Sequence, residues 1–265
     1  MGRYSDPVEV LSVAAGRQSL PVVLLCEHAG RRCPPHLGHL GLAPEIFDRH
    51  IAYDIGIEGV VRHLHQLLDV PVVMCHYSRL IVDCDRHPDY PRFMSRIEDT
   101  TVIPANQQVG PDDLAERMAS VYYPYHRAAD EMVEAVRVAL GRVLVINMHS
   151  FTPQRLDDGI YRPWHLALST YAHDDRPMHH LADIIERGGI SVGRHQPFDK
   201  RGEHDGEHAH CDACDQILFE IRNDLIADAA GQAAWAARVA PFISALARDF
   251  MTVDGDWSRV RPVGL

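Results

Sequence analysis

Polar residues with the makings of a hydrolytic centre recur at the carboxyl ends of apolar runs in this chain. His28 follows Val22-Val23-Leu24-Leu25-Cys26-Glu27, His149 follows Val143-Leu144-Val145-Ile146-Asn147-Met148, and Glu220 follows Ile217-Leu218-Phe219. In open α/β sheets, ligands bind beyond the carboxyl ends of the strands, where side chains from distant segments converge. Two imidazoles delivered this way are ligand material for zinc, which in catalytic sites takes three protein ligands and keeps one position open. An isolated histidine would more often satisfy a loop carbonyl; its recurrence at two strand ends favours the ligand reading. A glutamate beside such an ion can take a proton from attacking water and return it to the leaving amine. The alternative for Glu220 is a buried ion pair with Arg222, two residues on and on the same face.

The third ligand has to come from elsewhere. Asp54, in His50-Ile51-Ala52-Tyr53-Asp54-Ile55-Gly56, stands in an apolar stretch where a carboxylate needs a partner. Glu27 competes for the role, although adjacent strand residues point to opposite faces. His50, one helical turn before Asp54, is a candidate supporting partner. Arg222 and His208 are candidates for stabilising the oxyanion or polarising the substrate carbonyl. Arg79 and Arg86 bracket residues 80–85, and the arginine fork suits a substrate carboxylate. The same two arginines could instead pair with Asp83 or Asp85. Ser150 and Asn223, next to His149 and Arg222, are further candidates for substrate contact. A serine-hydrolase elbow of the G-x-S-x-G type is absent, and so is a phosphate-cradling glycine loop.

The elements that must position these residues alternate. Strands are expected at residues 21–26, 71–76, 80–82, 143–148, 165–170 and 217–221. Helices are expected at 44–68, 111–140 with an interruption at Pro124, 179–187, and 226–251 with a break at Pro241. Residues 87–104 and 188–216 read as long functional loops, the second with a short helix. Strands alternating with helices imply a three-layer α/β/α sandwich around a mostly parallel, mixed sheet. No repeat or linker divides residues 1–265, so one domain is expected.

Composition sets the bounds. The chain has 265 residues, 46% hydrophobic and 24% charged, as in ordinary globular proteins. A net charge of -11 argues against non-specific nucleic-acid binding, which needs basic surface. No N-terminal basic-plus-apolar segment reads as a leader, and no apolar run approaches roughly 20 residues, so no membrane association and residence in the cytoplasm are expected. Of 6 cysteines, only Cys211 and Cys214 have C-x-x-C spacing, and a structural zinc ribbon would need a second pair.

Together and in order, five segments resemble the N-formylglutamate amidohydrolase family. They are Cys26-Glu27-His28-Ala29, His50-Ile51-Ala52-Tyr53-Asp54-Ile55-Gly56, Tyr77-Ser78-Arg79-Leu80-Ile81-Val82-Asp83-Cys84-Asp85-Arg86, Asn147-Met148-His149-Ser150-Phe151-Thr152-Pro153 and Phe219-Glu220-Ile221-Arg222-Asn223-Asp224-Leu225-Ile226. The resemblance spans about residues 22–226 and implies kinship with the zinc-dependent exopeptidases. It implies hydrolysis of a linear amide, N-formyl-L-glutamate giving glutamate and formate in histidine breakdown. By the same resemblance, His28, His149 and Asp54 hold one zinc ion, Glu220 is the general base, and Arg79 or Arg86 takes the substrate carboxylate. Arg31 stands where the exopeptidase motif carries its ligand glutamate, so the middle ligand is an inference. Residues 192–198 depart from the Asn-Glu/Asp-Pro-Tyr run expected there, which bears on the acyl-amino acid accepted. The alternatives are a metallopeptidase or deacylase with another N-acyl amino acid, or a binding protein without catalysis on the same fold.

Overall fold

The computed structural model describes residues 6–14, 16–170, 175–197 and 215–252. Its centre is a seven-stranded sheet built from β1 (Val8–Leu11), β2 (Val22–Cys26), β3 (Val72–Cys75), β6 (Leu144–Phe151), β7 (Leu166–Thr170), β8 (Val192–Arg194) and β9 (Asp215–Arg222). A separate hairpin pairs β4 (Ile97–Glu98) with β5 (Thr101–Val102). The sheet order is β1-β3-β2-β6-β9-β7-β8. Strands β3, β2, β6 and β9 run parallel, β1 and β7 are antiparallel to their inner neighbours, and β8 runs parallel to β7. The three-layer α/β/α reading with a mixed sheet therefore holds.

β2 and β3 are buried at every residue, as expected of strands covered on both faces. On one face lie α1 (Ile57–Leu68), α4 (Arg176–Arg187) and α5 (Ala229–Thr252). α2 (Pro111–Arg117) leads through a π-helical turn into α3 (Tyr123–Leu140), which covers the other face. Each fully buried Val, Leu or Ile contributes roughly 1.5–3 kcal/mol, so the parallel centre is a stiff base for its strand ends. No helix of the described residues is long and apolar enough to cross a membrane.

Three expected elements differ. The helix expected at 44–68 begins only at Ile57; Pro44–Asp48 is a short 3-10 turn, and the chain between is non-helical. Gly56 ends that stretch with φ +81°, and a Cβ there would lie 2.0 Å from the Ile226 carbonyl oxygen. Asp54 is thus held in a tight loop rather than on a helix face. Residues 80–82 form a buried turn, not a strand. The Leu80 carbonyl accepts from Asn106 Nδ2 (2.9 Å) and the Ile81 carbonyl from Arg117 Nη1 (3.1 Å), so side chains supply the partners a sheet neighbour would have given. α5 runs through Pro241 without a break.

Candidate active site

β2, β6 and β9 are parallel neighbours, and their carboxyl ends open on one cleft. The loop after β2 hugs the end of β3: Gly30 N donates to Cys75 O, and a Cβ on Gly30 would meet His76 O at 2.3 Å. Only glycine permits that approach. It leaves Glu27 and His28 buried beneath the cleft. The Asp54 amide donates to the His28 carbonyl at 3.0 Å, tying the α1 loop to the same place.

His28, Asp54 and His149 come together, with one ligand atom from each lying within 4.8 Å of the other two. Asp54 sits between the rings: Oδ1 lies 3.6 Å from His28 Nδ1, and Oδ2 lies 3.0 Å from His149 Nδ1. The Ser150 amide also donates to Asp54 Oδ2 (2.9 Å), and the Ser150 hydroxyl donates to Ile55 O (3.1 Å). The ring centroids are 5.1 Å apart.

A second tier of carboxylates orients the rings. His28 Nε2 is 2.7 Å from Asp83 Oδ1, while Arg79 Nε and Nη2 donate to Asp83 Oδ2 at 3.1 and 2.7 Å. Glu27 Oε1 accepts from Tyr125 Oη and Asn147 Nδ2, both at 2.9 Å, and its Oε2 faces His149 Nε2 at 3.4 Å. Asp85 Oδ1 is 3.9 Å from the same nitrogen.

The charges follow from this packing. Burial and Arg79 press the His28 imidazole toward neutrality, but Asp83 and Asp54 outweigh them and raise its pKa to about 10. His149 is raised likewise: burial lowers it, and Asp54 and Asp85 overcome that. Burial favours protonated Asp54, yet the two imidazoles hold its carboxyl well below the usual range. Asp83 is pushed down against burial by Arg79 and His28. The pocket's potential therefore favours positive charge at the rings. His28 Nδ1, His149 Nε2 and Glu27 Oε2 are buried without a hydrogen-bond partner among the described residues. Burying such atoms unpaired is costly, and an imidazole nitrogen that has given up its proton, like a carboxylate oxygen, offers a lone pair to a cation. Imidazole nitrogens and a carboxylate suit a divalent transition ion such as zinc, so the residues present fit a metal.

Glu220 lines the cleft and is the register partner of His149 on the adjacent strand. Arg79, Arg86 and Ser150 line it too. Arg86 lies 3.9 Å from Asp83 and places its guanidinium 4.9 Å from the Tyr90 ring centroid. Arg222 is not brought to the cleft; it donates to Asp224 (2.8 and 3.2 Å) and to Pro163 O (3.2 Å). Asn223 opens a 3-10 turn outside the lining. His50 is 3.4 Å from Asp99 rather than beside Asp54, because the intervening chain is not helical. His208 lies outside the described residues, as do Cys211 and Cys214.

Sequence reasoning missed the orienting role of Asp83 and the cleft arginines Arg92, Arg155 and Arg162. Glu98 joins Arg92 (2.5 Å) and Arg155 (3.0 Å), and Asp158 joins Arg162 (2.6 Å). The available signal was position: Arg155 and Arg162 follow the carboxyl end of β6, where ligand contacts gather.

The sequence profile of N-formylglutamate amidohydrolase matches residues 20–227. Among solved structures, the gene product Atu2144 from Agrobacterium tumefaciens is similar at 30% identity and TM-score 0.83, covering 93% of this chain and 96% of that one. N-formylglutamate amidohydrolase from Ralstonia eutropha JMP134 superposes at TM-score 0.69 with 18% identity, covering 92% and 98% respectively, a likeness of fold. No curated protein matches the sequence. The profile match takes in every strand end that contributes to the cleft, and the chain belongs to the N-formylglutamate amidohydrolase family.

Proposed function

We propose that this chain hydrolyses the linear amide bond of an N-acyl amino acid in a metal-dependent reaction, with N-formyl-L-glutamate giving L-glutamate and formate as the best-supported case. The observation that carries this reading is the placement of Glu220 beside the His28–Asp54–His149 cluster at one cleft floor.

His28, Asp54 and His149 would hold the ion, with Asp83 and Glu27 orienting the rings. A divalent cation there supplies Lewis acidity, polarising an acyl carbonyl and acidifying water. Glu220 accepts a proton from the attacking water as its oxygen bonds to the acyl carbon. It then gives that proton to the amide nitrogen as the C–N bond breaks, leaving a carboxylic acid and a free amine. Arg86 takes a carboxylate of the substrate. Arg79 already directs two nitrogens at Asp83 and is better suited to fixing His28 through that carboxylate. Arg222, engaged by Asp224, neutralises that side chain instead of an oxyanion.

The test is formate release from N-formyl-L-glutamate by protein loaded with zinc, beside chelated protein and N-acetyl-L-glutamate. Formate release that disappears on chelation and returns with metal supports the reading. Release unaffected by thorough chelation overturns the metal, and no release from any N-acyl amino acid overturns the reaction.

A further inference from the structure

A second meeting of imidazoles and a carboxylate lies at the other end of the sheet. Asp175 immediately precedes α4, His179 lies one helical turn further on, and His195 follows β8. None of the three lines the catalytic cleft. β7 runs antiparallel to β9, with Ala167 opposite Glu220 and Thr170 opposite Ile217. The end of β7 beside this cluster thus points away from the carboxyl ends that bear the cleft.

The three side chains converge. Asp175 Oδ2 is 3.4 Å from His179 Nε2 and 3.3 Å from His195 Nε2, and the three ligand atoms fall within 4.8 Å of one another. Both separations exceed the roughly 2.9 Å of a good N–H···O bond. They match the edge, roughly 3.4 Å, of a tetrahedron whose nitrogen and oxygen ligands lie roughly 2.0–2.1 Å from zinc.

The scaffold holds the ligands in place. His195 is buried, its amide donates to Leu168 O (2.9 Å), and its φ of +52° is one that residues other than glycine rarely adopt. Such a conformation persists only where the surroundings over-determine it. Ser169 Oγ lies 3.1 Å from His195 Nδ1, which orients the ring with Nε2 toward Asp175. This is the outer hydrogen bond that metal-ligating histidines usually make. Asp175 and His179 are tied by a backbone bond, His179 N to Asp175 O at 3.0 Å. His179 is half-exposed, leaving a route for an ion from solvent.

Among the described residues, the remaining grouping of this kind, Glu9, Glu58 and His76, is organised differently. There Arg62 donates to both glutamates, so an internal cation already fills the role.

We propose that Asp175, His179 and His195 form a second, non-catalytic site for a divalent transition ion, with zinc the best match. Two imidazoles and one carboxylate select such ions over magnesium or calcium, which prefer all-oxygen shells. The ion bonds the first turn of α4 to the β7–β8 edge of the sheet, so its role is to fasten the helix there.

The experiment is zinc content by elemental mass spectrometry after reconstitution and removal of loose metal. It compares wild type, His179→Ala, Asp175→Asn and His149→Ala. His179 is half-exposed, so its truncation leaves the core intact. Relative to wild type, His179→Ala and Asp175→Asn are each expected to lose about one equivalent per chain, and only wild type and His149→Ala to gain thermal stability from that equivalent. Because the reading is a difference between wild type and variant, it stands whether or not the cleft also carries an ion. Loss of metal only in His149→Ala, with His179→Ala and Asp175→Asn both at the wild-type ratio, overturns the second site.

Discussion

Glu220 and His149 occupy the same register position on two adjacent parallel strands, so their side chains leave one face of the sheet side by side. Neighbouring strands are roughly 4.8 Å apart, which fixes the carboxylate close to the imidazole without any loop contributing. A base set on rigid strands keeps its aim when solvent or substrate moves.

Replacing that base by an isosteric amide should therefore leave the scaffold alone. Glu220→Gln is expected to keep its fold and metal content while kcat falls roughly 10²–10⁴-fold, the usual range for a lost general base. Steady-state kinetics with metal analysis checks this, and near-normal kcat would remove Glu220 from the role.

Asp83 contacts His28 rather than the cleft, so its effect should appear in metal affinity. Asp83→Asn keeps the shape but removes the charge opposite His28 Nε2. Loss of such an orienting carboxylate typically weakens metal binding 10–100-fold. Competition with a chromophoric chelator measures it; an unchanged affinity would reduce Asp83 to a partner for Arg79.

Metal-free protein should have an unusual pH profile. His28 is raised from 6.5 to about 10, so its stabilising contribution is complete below about 6.5 and is lost as pH climbs toward 10. His149, also raised, acts in the same direction. Asp54, held below its ordinary 3.8, contributes above that value and loses its effect as pH falls further. The Tm of chelated protein should decline steadily from about pH 7 to 10, while metal affinity rises as the competing proton leaves. A Tm that climbs across that window in the chelated protein would contradict the charge assignment.

Gly56 joins the Asp54 loop to α1 at φ +81°, against the Ile226 carbonyl. Gly56→Ala adds both backbone strain and a clash with main chain, which has no flexible end to yield. The expected loss is at least about 2 kcal/mol, or a Tm fall of roughly 4–8 °C for a chain of this size. Gly110→Ala, where a Cβ meets nothing, is the control. Equal Tm values for the two variants would show that the loop yields easily.

The strand ends were legible because burial on both faces writes itself as unbroken apolar runs. Strands over residues 22–26 and 143–148 needed no tertiary information, and the polar residues at their ends stood out by contrast. His28, His149 and Glu220 are legible at such ends and Asp54 within its own apolar stretch, and the structure brings all four to one cleft. Which carboxylate serves which ring was not legible. Asp54 lies between the two imidazoles because Gly56 and the Asp54–His28 backbone bond fold its loop inward, a contact between segments distant in sequence. Arg222 shares a strand face with Glu220, but Asp224 and the Pro163 carbonyl draw its long side chain away. Periodicity in sequence specifies the face from which a side chain departs. Where a flexible, charged side chain ends is decided by the partners that folding brings within reach.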